Sequence, residues 1–252
     1  MSQPQSESSD RSARPHPELP VLVDMGRNGL TNQMLLRSVL VPAAITAFTL
    51  ALAGRIDYWE GWVYNLLNLL ILGLTYVTLS DRGDLIQERL KPGKGMKRWD
   101  KIYYIVSSPT YIIAIAVASL DAGRFRWEPQ VPLIIVILSI LIYCTGHLGT
   151  LWAKRTNRFF SSVVRIQTDR GQTVCKDGPY RFVRHPGYVG GLLVGVATPL
   201  VLGSFWALIP ATVGAVLLVM RTYLEDETLR KELPGYLEYT REVRYRLLPR
   251  IW

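Results

Sequence analysis

The chain has few of the residues from which disulfide frameworks and metal sites are built. Its 252 residues include only two cysteines and three histidines. Cys144 falls in an apolar run and Cys175 in a polar loop, so neither a disulfide framework nor a thiolate metal site is expected. The histidines, His16, His147 and His185, are widely separated, and no metal-ligand spacing occurs among them. We therefore expect no metal in this protein.

The first 34 residues lack an apolar run. They are rich in serine, proline, glutamine and charge, and they contain no apolar core of the kind found in signal peptides. A segment of this composition cannot bury enough apolar surface to offset the entropy of folding. We therefore predict that residues 1–34 form a disordered cytoplasmic tail.

Long apolar runs dominate the rest of the chain. Hydrophobic residues make up 49% of the sequence, and a helix of roughly 17–25 residues suffices to cross a bilayer. The sequence therefore predicts an all-α, polytopic membrane bundle with about six hydrophobic passes. Residues 35–152 would hold four transmembrane helices, and residues 153–252 a catalytic region with a helical hairpin at 186–220. The four predicted spans are 35–54, 61–80, 102–120 and 131–152.

The basic residues are distributed unevenly between the predicted loops. Of 29 lysines and arginines, 26 fall on one side of the layout, and only Arg55, Arg124 and Arg126 fall on the other. Lysine and arginine are enriched in loops on the cytoplasmic side of membranes. We therefore predict that both termini are cytoplasmic. The net charge of +9 then reflects topology, and no nucleic-acid partner is expected.

The stretch RFVRHPGYVGG, residues 181–191, places polar and rigid residues directly before the hairpin. Pro186 suits the first turn of a helix, where its missing N–H would be unpaired in any residue. The N–H groups of Gly187, Tyr188 and Val189 would then be free and, with the helix dipole, would attract a carboxylate or phosphate.

A purely structural role for this stretch is the alternative. Arg181 and Arg184 would then anchor the helix at the membrane interface, and His185 would cap it. Gly187, Gly191 and Gly195 would form a stripe of small residues that packs against another helix.

A second polar cluster follows the hairpin. Arg221 and Glu225 lie one helical turn apart and therefore share a face of the predicted helix. They could form an exposed salt bridge of a few tenths of a kcal/mol. Ionisable residues at the end of a span and close to a second polar cluster instead indicate a functional site.

The two clusters together resemble the isoprenylcysteine carboxyl methyltransferase family, part of a wider set of membrane methyltransferases that includes the phospholipid N-methyltransferases. The first pattern is GPYRFVRHPGYVGG, and the second, about 35 residues later, is R-x-x-x-E-D-x-x-L followed by PGYLEYTREVRYRLLP. The resemblance covers roughly residues 80–252 and is strongest from residue 165 onward. It implies methyl transfer from S-adenosyl-L-methionine in a pocket on the cytoplasmic side of the membrane.

The resemblance also implies roles for individual residues. Arg221 would face the carboxylate of the substrate, and Glu225 would complete the cofactor site from the last long helix. Arg165 falls at a further cofactor position of the family, and Asp226 at the second of its paired acids. The cofactor-binding residues that it implies are Gln172, Thr173, Val174, Cys175, Tyr180, His185, Pro186, Gly187, Tyr188 and Glu225.

The chemistry of these residues agrees with methylation of a lipophilic acceptor, either a small molecule or a prenylated substrate, within membrane lipid. The sulfonium of the cofactor would be stabilised over the ring of Tyr180, Tyr188 or Trp152. A carboxylate acceptor is already ionised at neutral pH. An amine acceptor must lose a proton, and no general base is evident, which favours carboxyl methylation.

Three other functions fit parts of the sequence. A phospholipid or amine N-methyltransferase would use the same cofactor. A membrane sterol or enone reductase would share the polar C-terminal helix and a tail like VRYRLLP, but it would bind NADPH. A non-catalytic membrane scaffold could keep the fold without the reaction.

Overall fold

The computed structural model describes residues 24–90 and 92–252, with side chains from residue 39 onward. The chain divides into two units after Leu40, and the site described below lies in the second, residues 41–252. Of the predicted tail, residues 1–23 lie outside the described residues, and the first helix begins at Asp24. Every regular element in the described part of the chain is helical, so the all-α prediction is confirmed.

Eight α-helices follow one another along the described chain. A π-helical turn, Ser119–Phe125, continues the fourth helix. Two 3-10 turns, Thr168–Arg170 and Gly178–Arg181, lie in the long loop before the sixth. The helices are α1 (Asp24–Ala53), α2 (Trp59–Leu79), α3 (Gly83–Leu90), α4 (Arg98–Ala118), α5 (Leu133–Thr156), α6 (Pro186–Val201), α7 (Leu208–Glu232) and α8 (Tyr236–Glu242).

The length and surface of these helices are those of a membrane protein. Four helical segments are long and apolar enough to cross a bilayer: Trp59–Leu79, Arg98–Phe125, Leu133–Thr156 and Leu208–Glu232. Two shorter apolar helical segments, Val39–Ala53 and Pro186–Val201, bring the apolar passes to the predicted six. Large apolar side chains on the outer faces, such as Ile105 at 72% exposure, are stable in contact with lipid and not with water. The protein is therefore a multi-pass membrane bundle.

The C-terminal hairpin has arms of unequal length. Helix α6 has 16 residues, about 24 Å at 1.5 Å per residue, which is less than the roughly 30 Å of a bilayer core. Helix α7 has 25 residues and continues to Glu232, beyond residue 220, where the predicted apolar hairpin ends. The acidic residues after the apolar run thus stay on one continuous helix, which carries them to the end of the bundle where the site lies.

Two glycines set the distance between α5 and α6, the most closely associated pair of helices. A Cβ atom on Gly190 would lie 2.2 Å from Thr150 Oγ1 and 2.4 Å from the carbonyl oxygen of Gly146. The backbones therefore approach to a distance that only glycine permits. A Cβ on Gly195 would meet nothing within 4 Å, so the predicted packing stripe is wrong for that residue.

Candidate functional site

A cavity of about 210 Å³ lies at the end of the bundle that carries the basic loops. Its walls come from the end of α3, the loop between α5 and α6, the first turn of α6, and the C-terminal part of the chain from α7 onward. Pro186 is buried in the helix start and does not line the cavity. The other predicted site residues all line it: Gln172, Thr173, Val174, Cys175, Tyr180, His185, Gly187, Tyr188, Arg221 and Glu225.

Asp226 organises the base of this cavity. Its carboxylate is completely buried and accepts two hydrogen bonds from Arg184, at 2.7 and 2.9 Å. The Tyr236 hydroxyl and the Arg246 Nε donate to it at 3.0 and 2.8 Å. Burial opposes the charged form of Arg184, but the bond to Asp226 outweighs burial and raises the pKa of the guanidinium. The second acid of the predicted pair is therefore the buried hub that joins α7 to the loop and to the C-terminal segment.

The same hub positions the aromatic residues at the start of α6. The His185 Nε2 lies 3.2 Å from Asp226, and the imidazole stacks on the Tyr188 ring at 5.7 Å between centroids and an interplanar angle of 7°. The Tyr188 hydroxyl donates to the Glu225 carboxylate. His185, Tyr188 and Glu225 therefore form a connected row along one wall of the cavity.

The predicted anion site at the start of α6 is wrong for two of its three N–H groups. Tyr188 N and Val189 N both donate to the His185 carbonyl oxygen, at 3.0 and 3.2 Å. Of the three, only Gly187 N has no backbone partner among the residues with assigned positions. A Cβ at Gly187 would lie 2.6 Å from the Phe160 ring, so this glycine lets the α5–α6 loop close over the helix start.

The loop before α6 is held by a buried ion pair. Arg165 donates to both carboxylate oxygens of Glu88 in α3, at 2.9 and 2.8 Å, and to Asp169 at 2.7 Å. Burial raises the pKa of Glu88, but the hydrogen bonds from Arg165 outweigh it, so that pKa lies below its ordinary range. Arg165, predicted as a cofactor contact, borders the cavity, but its guanidinium is already paired with protein carboxylates.

The residues from 172 to 180 form one side of the cavity by means of local hydrogen bonds. The Gln172 Oε1 accepts from Gln167 N at 2.7 Å, and the buried Gln167 amide donates to the Phe159 carbonyl at 2.7 Å. Burial raises the pKa of the Cys175 thiol, which keeps it neutral and unsuited to nucleophilic attack. Trp152, an aromatic candidate for the sulfonium, is 52% exposed and does not line the cavity, so that prediction is wrong.

Arg221 does not pair with Glu225, and it is not on the surface. Its guanidinium is buried, and it donates to Asp100 of α4 through Nε and Nη2 at 2.8 and 3.3 Å. The rings of Tyr103, Tyr104 and Tyr188 lie 4.8–5.3 Å from its central carbon. The exposed salt bridge considered from the sequence is therefore excluded.

A second cavity, of about 540 Å³, lies between α4, α6 and α7 in the apolar part of the bundle. Its lining includes Gly191, Gly195 and Leu218, so the open side of Gly195 faces this space. Tyr104 and Arg221 line both cavities. The polar cavity and the apolar groove therefore meet at these two side chains.

Ion pairing leaves two charges in the polar cavity without a partner. Arg165, Arg184 and Arg221 are each paired with an acid described above. Among the side chains of residues 39–90 and 92–252, no oppositely charged group lies within 4 Å of Arg89 or Glu225. Bound ligands that bring one negative group to Arg89 and one positive group to Glu225 would compensate both charges.

Several cavity residues are missing from the set of site residues predicted from the sequence. Arg89 and Tyr104 lie far upstream of the patterns, and Tyr236 and Tyr239 lie in the short helix α8. The downstream pattern PGYLEYT contains both of these tyrosines, so it could have identified them. Nothing local marks Arg89 or Tyr104, because their place at the cavity results from contacts between helices distant in sequence.

Comparison with known proteins supports the assignment made from the motifs. Residues 130–231 match the model of the isoprenylcysteine carboxyl methyltransferase (ICMT) family. Comparison with curated proteins gives no significant match. The matched residues run from before α5 to the end of α7 and include every predicted site residue. Residues 130–231 of this membrane-spanning chain are therefore similar to the isoprenylcysteine carboxyl methyltransferase family, and this match together with the apolar helices supports an integral membrane methyltransferase.

Proposed function

We propose that the protein transfers a methyl group from S-adenosyl-L-methionine to the carboxylate of a lipophilic acceptor, with both termini and the polar cavity on the cytoplasmic side. The observation that carries the proposal is the junction of two unlike cavities. A polar cavity lined by the predicted cofactor residues meets an apolar groove between α4, α6 and α7 at Arg221 and Tyr104. A water-soluble donor and a lipidic acceptor could meet there.

The residues of the polar cavity fit the proposed cofactor. The Glu225 carboxylate lacks a basic partner among the described residues and would bind the ammonium of the cofactor. The rings of Tyr180 and Tyr188 line the same space and would stabilise a sulfonium. When bound, S-adenosylmethionine supplies an electrophilic methyl group that an acceptor oxygen takes as the methyl–sulfur bond breaks, with the electron pair left on sulfur. His185 and Asp226 hold the Tyr188 ring in place, and proximity and alignment can then supply much of the rate enhancement.

The apolar groove fits the tail of the acceptor. Small residues, Gly191 and Gly195 among them, keep the space between α4, α6 and α7 open. Arg221 Nη1 has no hydrogen-bond partner among the residues whose side chains are described, so one donor remains for an acceptor carboxylate. A carboxylate acceptor needs no general base, which fits a cavity whose histidine is already bonded to Asp226.

The alternatives are less well supported by the site. An NADPH-dependent reductase would need several free basic groups for phosphates, whereas three of the four cavity arginines are bonded to protein carboxylates. An N-methyltransferase would share the cofactor and would be separated by its product. A scaffold without activity leaves the uncompensated Glu225 unexplained, because a half-buried charge without a partner destabilises the fold.

Calorimetry with S-adenosylhomocysteine tests the proposal on the purified full-length protein in an uncharged detergent. We expect the wild type to bind, and Glu225→Gln to bind roughly 10- to 100-fold more weakly, because a charge-assisted hydrogen bond contributes about 1.5–3 kcal/mol. Glu227→Gln is the matched control, since Glu227 is on the same helix, bonds Arg230 and does not line the cavity. Binding of NADPH without binding of S-adenosylhomocysteine would overturn the proposal.

Radiolabelled methyl transfer then identifies the bond that forms. Label carried from the cofactor into a lipid fraction should be released as methanol by mild base, because esters are hydrolysed and N-methyl groups are not. Base-stable label would favour the N-methyltransferase.

A further inference from the structure

Arg89 is a cavity residue that the cofactor and motif arguments leave without a role. It lies in the last turn of α3, half-buried, and its guanidinium stacks over the Phe160 ring at 5.4 Å. In the part of the chain with described side chains, this guanidinium makes no hydrogen bond and no ion pair. It also lies outside the matched residues 130–231, so the family match assigns nothing to it.

The surroundings of Arg89 are positively charged. Burial lowers the pKa of the Arg89 guanidinium, and the positive charge of Arg221 also lowers it. The Tyr104 hydroxyl raises this pKa, but the net shift is downward. Lys154, at the end of α5, also lies close enough to interact with it electrostatically. Arginine stays protonated at neutral pH in spite of such effects. A half-buried cation beside other cations is unfavourable unless an anion joins the group.

The location of Arg89 indicates what kind of anion would bind there. The electrostatic neighbours of its guanidinium in the cavity, Tyr104 and Arg221, are the two residues that line both the polar cavity and the apolar groove. Glu225 and the predicted cofactor residues approach from α6, α7 and the loop. An anion at Arg89 would therefore lie where the headgroup of a groove-bound lipid enters the polar cavity.

We propose that Arg89 is a substrate-binding residue that, together with the free Nη1 of Arg221, binds the carboxylate of the lipophilic acceptor. This inference rests on the proposed function and makes it more specific, because it requires an anionic acceptor. Arg221 alone is a weak anion site, since Asp100 already neutralises it. Arg89 supplies the net positive charge. Methylation removes the charge of the acceptor, so the neutral ester loses its attraction to Arg89 and can return to the lipid.

The experiment compares two probes that differ only in charge. Palmitate carries a carboxylate, and palmitamide has the same chain with an uncharged head. Radiolabelled palmitate is bound to the full-length protein in uncharged detergent with saturating S-adenosylhomocysteine, and it is displaced by either unlabelled compound. We expect palmitate to displace the label at least tenfold more effectively than palmitamide from the wild type.

Variants then assign the preference to one residue. In Arg89→Met we expect palmitate affinity to fall roughly 10- to 100-fold, to the level of palmitamide, and Arg89→Lys to restore part of the difference. Arg98→Met is the control, because Arg98 is an exposed arginine at the start of α4 that does not line the cavity. S-adenosylhomocysteine affinity should be the same in all of these proteins, and this also shows that each variant is folded.

The outcomes separate this inference from the proposed function. Equal displacement by palmitate and palmitamide, or no binding of palmitate, by a wild-type protein that binds S-adenosylhomocysteine overturns the role of Arg89 and leaves the methyltransferase proposal intact. Weaker binding of S-adenosylhomocysteine by Arg89→Met, with palmitate affinity unchanged, also overturns it, because Arg89 would then bind the cofactor carboxylate. A wild-type protein that binds no S-adenosylhomocysteine contradicts the proposed function itself.

Discussion

The replacement Asp226→Asn tests whether the second acid of the motif holds the site together. The substitution keeps the size and one carbonyl acceptor of the side chain but removes its charge. In the folded protein Asp226 is fully buried, and it accepts hydrogen bonds from Arg184, Tyr236 and Arg246. Without the carboxylate, no charge at residue 226 compensates the buried Arg184 guanidinium, whose backbone partners are the carbonyl oxygens of residues 243 and 244.

The expected loss of stability is large for a single isosteric change. Removing one partner of a buried ion pair typically costs about 3–5 kcal/mol, because the other charge stays buried without compensation. For a chain of this size, 1 kcal/mol corresponds to roughly 2–4 °C in the unfolding midpoint. We therefore expect Asp226→Asn to unfold roughly 6–20 °C below the wild type.

Tryptophan fluorescence during heating in detergent measures this midpoint. Glu227→Gln provides the comparison, because it removes a charge from the adjacent residue, whose ion pairs with Arg230 and Arg246 are partly exposed and contribute about 0–1 kcal/mol each. Midpoints of Asp226→Asn and Glu227→Gln within about 2 °C of each other would refute the role of Asp226 as the hub of the site.

Two further predictions concern the packing and the topology of the bundle. Gly190→Ala should lower the unfolding midpoint strongly, because the added Cβ would lie 2.2 Å from Thr150 Oγ1. Gly195→Ala should change the midpoint little, because a Cβ there meets open space. Equal midpoints of the two variants in the same heating experiment would contradict the close α5–α6 contact. In intact cells, with Cys144 and Cys175 replaced, a membrane-impermeant maleimide should label cysteines placed at the exposed Asp57 or Gln130 and should not label those at the exposed Lys94 or Thr168. Labelling at Lys94 from outside would reverse the predicted orientation.

The membrane helices could be predicted from the sequence because their signal is local. An apolar run of bilayer length must satisfy its backbone hydrogen bonds internally, and a helix is the structure that does so within one segment. The predicted 61–80 and 131–152 accordingly match α2, Trp59–Leu79, and most of α5, Leu133–Thr156. Helix α7 continues past Arg221, where the charged residues begin, in agreement with the predicted helix face shared by Arg221 and Glu225.

The composition of the site could be predicted in part for a similar reason. The motifs are contiguous in sequence, so Gln172 to Cys175 and His185 to Tyr188 were found together, and all of them except Pro186 line one cavity. Charge compensation was not visible, because each buried arginine finds its acid far away. Arg165 pairs with Glu88 of α3, and Arg221 with Asp100 of α4.

The relation between Arg221 and Glu225 shows why spacing alone could not settle the site. Residues one turn apart on an exposed helix tend to pair with each other, and that pairing would have neutralised both. In the folded protein Asp100, held by the backbone N–H of Val164 at 2.7 Å, draws Arg221 toward α4. Glu225 is then left to accept a hydrogen bond from the Tyr188 hydroxyl. A long-range ion pair thus leaves a carboxylate available in the cavity, and such a group is what a cationic cofactor needs.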